Sequence, residues 1–198
     1  MTQMDHPQVN QTELAVLLRE LRSCMKAQSA GSVVELGCYT GGSAAAMSLC
    51  MQKAGCSWPL HVYDSFMGLP LKHAADNSPA GEQFVAGALR ATKADLRRTF
   101  YRMKAPLPLI HKQWFSDLLP ADIPDDIRLA FLDGDYYDSI MTSLRLVWPK
   151  LAHGAVVVVD DYRNESLPGA AKAVDAWLLT HSAQLRVEAS LAIIYPRL

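Results

Sequence analysis

Four short, mostly apolar runs constrain this chain more than anything else in it: Ser32–Leu36, Leu60–Tyr63, Ile127–Leu132 and Ala155–Val159. Runs of this length, rich in branched side chains, read as buried strands. Each stops at a glycine or an aspartate, namely Gly37, Asp64, Asp133 and Asp160. Helical spacing fills most of the intervals. Leu14, Leu17, Leu18, Leu21 and Met25 share one face of a first helix, which Thr12 can cap and which Gly31 stops. Further helices are expected at Gly42–Lys53, Gly81–Ala91, Lys93–Met103, Tyr137–Trp148 and Gly169–Ser182, and weaker strands at Leu107–His111, Gln184–Glu188 and Leu191–Tyr195. Strands alternating with helices imply an α/β fold, a mostly parallel sheet with helices on both faces. No repeat or linker divides the chain, so residues 1–198 are expected to form one domain, with 1–30 as an N-terminal helix that caps it or makes an oligomer contact.

Composition narrows the class. The chain has 198 residues, is 50% hydrophobic, and balances 19 basic against 20 acidic residues. It can bury enough surface to fold, and it lacks the basic surplus of a dedicated nucleic-acid binder. The longest apolar run, Ala155–Val159, is far short of a membrane span, and no secretory pattern follows Met1, so a cytoplasmic protein with no nucleic-acid or membrane partner is expected. Cys24, Cys38, Cys50 and Cys56 form no C-x-x-C pair and read as reduced, mostly buried thiols.

Ligands of such sheets bind at the carboxyl ends of the strands. Three features gather there. The first is the turn Gly37-Cys38-Tyr39-Thr40-Gly41-Gly42-Ser43, where glycines allow a tight turn and close approach of a ligand. It is neither G-x-G-x-x-G nor a P-loop, which lowers the standing of dehydrogenases and NTPases. The second is a carboxylate pair, Glu35 before the turn and Asp64 at the next strand end, the latter suited to ribose hydroxyls. Turn and carboxylates together favour an adenosine-containing ligand. The third is an acidic group, Asp133, Asp135, Asp160 and Asp161, from two strand ends. Carboxylates converging this way repel unless a cation sits among them, and oxygen ligands suit a hard ion such as Mg²⁺. The six histidines read as structural or exposed, with His111 nearest the rim.

These segments resemble a known family. Val33–Ala44 looks like the first motif of class I S-adenosylmethionine-dependent O-methyltransferases, close to the catechol O-methyltransferase version. Val62–Pro70, Leu132–Ser139, Val159–Tyr162, and Pro168-Gly169 with Ala173–Asp175 are similar to the macrocin O-methyltransferase (TylF-like) family. The resemblance spans roughly residues 30 to 180 and implies a Rossmann-like class I methyltransferase fold with a seven-stranded sheet. It implies that Asp133, Asp160 and Asp161 hold Mg²⁺ and that Asp135 is the general base. It implies that S-adenosylmethionine meets Glu35, Gly37, Tyr39, Gly41, Ser43, Asp64, Ser65 and Asp133, with Phe115 and Ser116 near the adenine.

The expected reaction is methyl transfer to a hydroxyl of a small molecule, a sugar or polyhydroxylated natural product. A catechol-type enzyme acting on a phenolic diol is the alternative, weakened because Tyr136 stands where that group carries a lysine. A nucleotide-binding oxidoreductase and a non-catalytic binding module are the rivals from other classes. Thr40 and Gln113 depart from the family's usual Arg and Gly, and only about thirty residues precede the first strand, so either a more open acceptor pocket or an acceptor other than a sugar is expected. Trp114, Tyr136, Tyr162 and Trp177 are candidates to line it, and a homodimer is kept open as the assembly.

Overall fold

The structure, a computed structural model, describes residues 10–27, 30–79, 81 and 84–197. The expectations at Met1–His6 and part of the Gly81–Ala91 helix lie outside those residues. Seven strands form one sheet: β1 (Ser32–Leu36), β2 (Leu60–Asp64), β3 (Leu109–Lys112), β4 (Ile127–Leu132), β5 (Leu151–Val159), β6 (Ala183–Glu188) and β7 (Leu191–Pro196). Their spatial order is β3-β2-β1-β4-β5-β7-β6. The first five run parallel, and β7 is antiparallel to both β5 and β6. Strand order reverses between β1 and β4, so a crevice opens there at the carboxyl ends.

The helices are α1 (Gln11–Ala27), α2 (Gly42–Lys53), α3 (Lys93–Met103), α4 (Tyr137–Val147) and α5 (Pro168–Leu178). The two-residue alternation of the strands sorts their side chains into two cores. Val33, Val62, Phe131, Val158 and Ile193 meet Leu17 and Leu21 of α1, Met47 of α2 and Phe100 of α3. Val34, Leu36, Ala130, Val157 and Ile194 meet Ile140 and Leu144 of α4 and Val174 and Trp177 of α5. Each fully buried branched side chain contributes roughly 1.5–3 kcal/mol, so both faces need their helical cover. Cys24, Cys38 and Cys50 are buried in this interior and all four thiols are free. Among the described residues no helix is long and apolar enough to cross a membrane.

Several boundaries differ from the sequence expectation. α1 is capped by Asn10, not Thr12. The Asn10 Oδ1 accepts the N–H groups of Thr12 and Glu13 at 2.9 and 3.0 Å, and Glu13 accepts the Asn10 N–H at 3.1 Å. That reciprocal arrangement satisfies more helix-end donors than a threonine two residues later could. No helix forms over the described part of residues 81–91, where the backbone turns left-handed at Gly87 and Leu89. Leu69 instead pairs with this stretch, its N–H donating to Ala88 O at 2.8 Å and its carbonyl accepting from Gly87 at 2.9 Å. β3 starts at Leu109 because Pro108 cannot donate to a ladder. β5 begins four residues earlier than expected, behind a register shift between Ile127 and Leu129 that takes up three extra residues on β5. α5 stops at Leu178, after which Thr180 and His181 both donate to the Trp177 carbonyl in a tightening turn.

Candidate active site

The carboxyl ends of β1, β2 and β4 are tied together by the backbone. Gly37 N–H donates to Tyr63 O, and Asp133 N–H to Leu36 O, each at 2.9 Å. Gly37 has φ +90°, and a Cβ there would lie 1.9 Å from the Asp133 carbonyl oxygen. Only glycine lets the turn lie against the end of β4. Gly41, at φ +80°, starts α2 from the left-handed region and packs against Leu96 and Phe100 of α3. Tyr39 between them also has positive φ, at 44°.

Asp64 shapes this turn. Its Oδ2 accepts the N–H groups of Cys38 and Tyr39 at 3.0 and 2.9 Å, and its Oδ1 accepts that of Phe66 at 2.6 Å. A carboxylate offers about four acceptor positions, so room remains for one further donor from the cleft that Asp64 also lines. Glu35 lies fully buried beneath the turn. Ser43 Oγ donates to its Oε1, while its Oε2 has no hydrogen-bond partner. Burial pushes the Glu35 carboxyl up to about 8, against the pull of the Ser43 hydrogen bond, with the Asp64 charge adding to the rise.

An open cleft of about 160 Å³ follows the switch point. Gly37, Tyr39, Asp64, Ser65, Phe115, Ser116, Asp133 and Asp135 all line it. Glu35, Gly41 and Ser43 do not; the Ser43 hydroxyl is turned inward to Glu35. Of the four aromatic candidates for the acceptor pocket, Trp114 alone lines the cleft. Tyr136 is buried with Leu69 and Leu167. Tyr162 donates to Asp175 at 2.8 Å, and Trp177 stacks on His181 at 3.7 Å. These three lie outside the lining of the cleft. His111 is also accounted for by packing: its Nε2 lies 3.1 Å from His61 Nδ1, and its ring stacks on Tyr63.

Sequence reasoning missed the wall supplied by Asp138, Ser139 and Thr142 of α4. Their spacing from Asp135, three to four residues at a time, puts all of them on one helical face and was the available signal.

The acidic group assembles with one exchange of partners. One carboxylate oxygen from each of Asp133, Asp135 and Asp161 lies within 4.8 Å of the others. Asp160 is outside this trio, buried, with its Oδ1 accepting the Asp161 N–H at 2.8 Å. Asp135 joins the expected ligands Asp133 and Asp161, while Asp160 turns an oxygen to the Asp161 N–H. Asp135 and Asp161 both adopt positive φ, 59° and 58°, a conformation that costs energy and tends to persist where surrounding structure enforces it. Asn164 Nδ2 steadies Asp161 by donating to its Oδ1 at 2.8 Å.

Burial raises the carboxyls of Asp133 and Asp135 well above the ordinary range, and mutual repulsion raises them further. Asp161 is raised for the same first reason, and Asp160 is pushed up to about 8 by burial and then by Asp161. The charges bearing on the trio are other carboxylates. Three half-buried oxygen donors whose charged neighbours among the described residues are other carboxylates fit a hard divalent ion, whose charge would offset both burial and repulsion.

A sheet ordered in this way, with an antiparallel β7, a glycine turn and an acidic rim at the switch point, defines a class I, Rossmann-like methyltransferase fold. The O-methyltransferase NovP shares it, superposing with a TM-score of 0.80 at 22% identity over 93% of this chain and 79% of that one. The chain belongs to the macrocin O-methyltransferase (TylF) family, whose profile matches residues 2–189. Demethyldecarbamoylnovobiocin O-methyltransferase of Streptomyces niveus is 29% identical to it over 67% of this chain and 53% of its own length. The 8-demethyl-8-(2,3-dimethoxy-alpha-L-rhamnosyl)-tetracenomycin-C 4'-O-methyltransferase of Streptomyces olivaceus is 30% identical over 80% of this chain and 65% of its own length. The chain thus spans between about half and two thirds of these curated relatives.

Proposed function

We propose that the protein transfers a methyl group from S-adenosylmethionine to a hydroxyl oxygen of a small molecule, a sugar or polyhydroxylated natural product, with Mg²⁺ at the acidic trio. One observation carries the reading: the glycine turn, Asp64 and two members of the trio, Asp133 and Asp135, line a single cleft, with Asp161 completing the trio beside them. The names of the two relatives, one of which acts on a rhamnosyl group, favour a glycosylated acceptor.

When bound, S-adenosylmethionine supplies a methyl activated by its sulfonium, and the transfer leaves a neutral thioether. The residues of the chain then have separable tasks. Gly37 and Tyr39 form the wall beside the methionine part, Asp64 meets the ribose, and Ser65, Phe115 and Ser116 border the adenine. Asp133, Asp135 and Asp161 would hold Mg²⁺, which when bound lowers the pKa of a hydroxyl beside it. Asp160 keeps the Asp161 backbone in place from behind. Asp135 takes the proton of the acceptor hydroxyl on the carboxylate oxygen that it does not give to the trio. It can do so only when ionised, and its burial among carboxylates disfavours that state until the local charge is balanced. Asp138, Ser139 and Thr142 face the side left for the acceptor.

The test is calorimetry with S-adenosylmethionine, followed by a panel of hydroxylated and glycosylated acceptors read by release of S-adenosylhomocysteine. Folded protein that binds no donor would overturn the methyltransferase reading. Full turnover in excess EDTA would overturn the metal role alone. Asp135→Asn should keep donor affinity within a few-fold and lose turnover by about 100-fold or more.

A further inference from the structure

The connection from β2 to α3 contains a buried acid that the reaction does not use. Asp76 is 1% exposed and closes the short helical turn Ala74–Asp76. Its Oδ2 accepts the His73 N–H at 2.8 Å, which fixes the turn itself. Its Oδ1 reaches out of the loop and accepts the N–H of Tyr137, the first residue of α4, at 2.7 Å. A second helix end converges on the same oxygen. A Cβ on Gly169, near the start of α5, would lie 1.7 Å from Asp76 Oδ1 and 2.7 Å from Tyr137 N. The carboxylate therefore sits at the positive ends of both helices.

Other contacts fasten the same loop to the same two elements. The His73 ring stacks on that of Tyr137 with centroids 5.0 Å apart. Lys172 of α5 donates to Ala75 O at 2.5 Å, and Ser78 Oγ donates to Glu165 O at 2.6 Å. The fastened parts all lead into the cleft. The loop carries Ser65, Gly68, Leu69 and Pro70 on one wall. Tyr137 is two residues beyond Asp135, whose left-handed backbone is followed by a tight Tyr136 N–H to Gly134 O contact of 2.6 Å.

We infer that Asp76 is a positioning residue: by clamping the β2–α3 loop to the first turns of α4 and α5, it couples the loop wall of the cleft to the Asp135 corner. This rests on the role of Asp135 proposed above. Loss of the clamp releases the loop and the corner together, and the proton acceptor moves while the donor's glycine turn stays in place. A shift of about 1 Å in a reacting group can cost about 100-fold in rate.

Three variants test it: Asp76→Ala, Asp76→Asn and Gly169→Ala. Hydrogen exchange in the presence of S-adenosylhomocysteine should be about tenfold faster in Asp76→Ala for peptides spanning 67–79 and 134–140 together, the size expected from losing a helix N-cap contact. Peptides from β4 should be unchanged. Turnover should fall about 100-fold, with the donor KM within threefold of wild type. Asp76→Asn keeps an oxygen for the Tyr137 N–H and should recover most of both effects. Gly169→Ala displaces the carboxylate without removing it. Alanine is the better helix former, so a purely helical role would slow exchange, whereas the clamp requires the double acceleration again. Faster exchange in one segment only, unchanged turnover in Asp76→Ala, or a donor KM that rises in step with the loss of turnover would each overturn the inference. If wild type transfers no methyl group, the proposed reaction fails, and the exchange arm still decides whether the loop and the corner are coupled.

Discussion

Glu35 offers a sharp test of the buried electrostatics beneath the glycine turn. Its carboxyl is raised from 4.5 to about 8, chiefly by burial. A raised folded value means that the native state prefers the neutral form. Stability associated with Glu35 is then fully present below the unfolded value and is lost as pH climbs through the folded one. With about 1.4 kcal/mol for each pH unit between the two values, the loss is roughly 1 kcal/mol at pH 5, about 3 kcal/mol at pH 7 and about 5 kcal/mol by pH 9. Glutamine is the neutral isostere and can still accept the Ser43 hydroxyl. Glu35→Gln should therefore match wild type near pH 4.5 and exceed it increasingly above. For a urea slope of about 2 kcal/mol per molar, the midpoint gain at pH 7 is about 1.5 M. Urea melts from pH 5 to pH 9, metal-free and without donor, give the comparison. The trio titrates in both proteins and largely cancels in the difference. A midpoint difference that stays constant across this range would refute the reasoning, since it would mean that Glu35 keeps the same charge in the folded and unfolded chain.

Two further outcomes follow from the site. Gly37→Ala places a methyl 1.9 Å from the Asp133 carbonyl at a positive φ; it should destabilise the fold by about 3 kcal/mol or more, read by thermal melting, and abolish donor binding in calorimetry. Mg²⁺ binding should release protons, because it must ionise carboxyls that burial and repulsion hold above their ordinary range. Affinity should rise as pH climbs above the usual carboxylate values. Binding heats that do not change between two buffers of different ionisation enthalpy would contradict the raised values.

The strands and their carboxyl ends were legible in the sequence because buried parallel strands are written as uninterrupted apolar runs. Ile127–Leu132 appears with its expected bounds. Punctuation there was also informative: Gly37, Asp64 and Asp133 stop three neighbouring strands and line one cleft. Parts of the site escaped for physical reasons. The β2–α3 connection has turn residues without periodicity, and its shape is set by tertiary contacts such as Leu69 with Ala88 and Asp76 with Tyr137. The sequence expectation places Asp160 with Asp133 and Asp161, whereas the three carboxylates that gather here are Asp133, Asp135 and Asp161; which acids converge depends on backbone dihedrals beyond the strand ends that residue types alone do not fix. The Asn10 cap was within reach, since asparagine three residues before Glu13 is a recognisable capping box.

The acidic trio draws on two neighbouring strands, Asp133 and Asp135 following β4 and Asp161 following β5, aligned by the pairing of Leu132 with Val159 and by Asp160 N–H to Leu132 O at 2.9 Å. Sliding β5 by one residue would trade Asp161 for Asp160 in the trio and turn the whole valine run over. A cation bound through Asp161, as proposed, would therefore recognise only the chain whose central strands have docked in the right alignment. Its binding would proofread the assembly of the sheet, favouring the native pairing over a misaligned one before any substrate arrives.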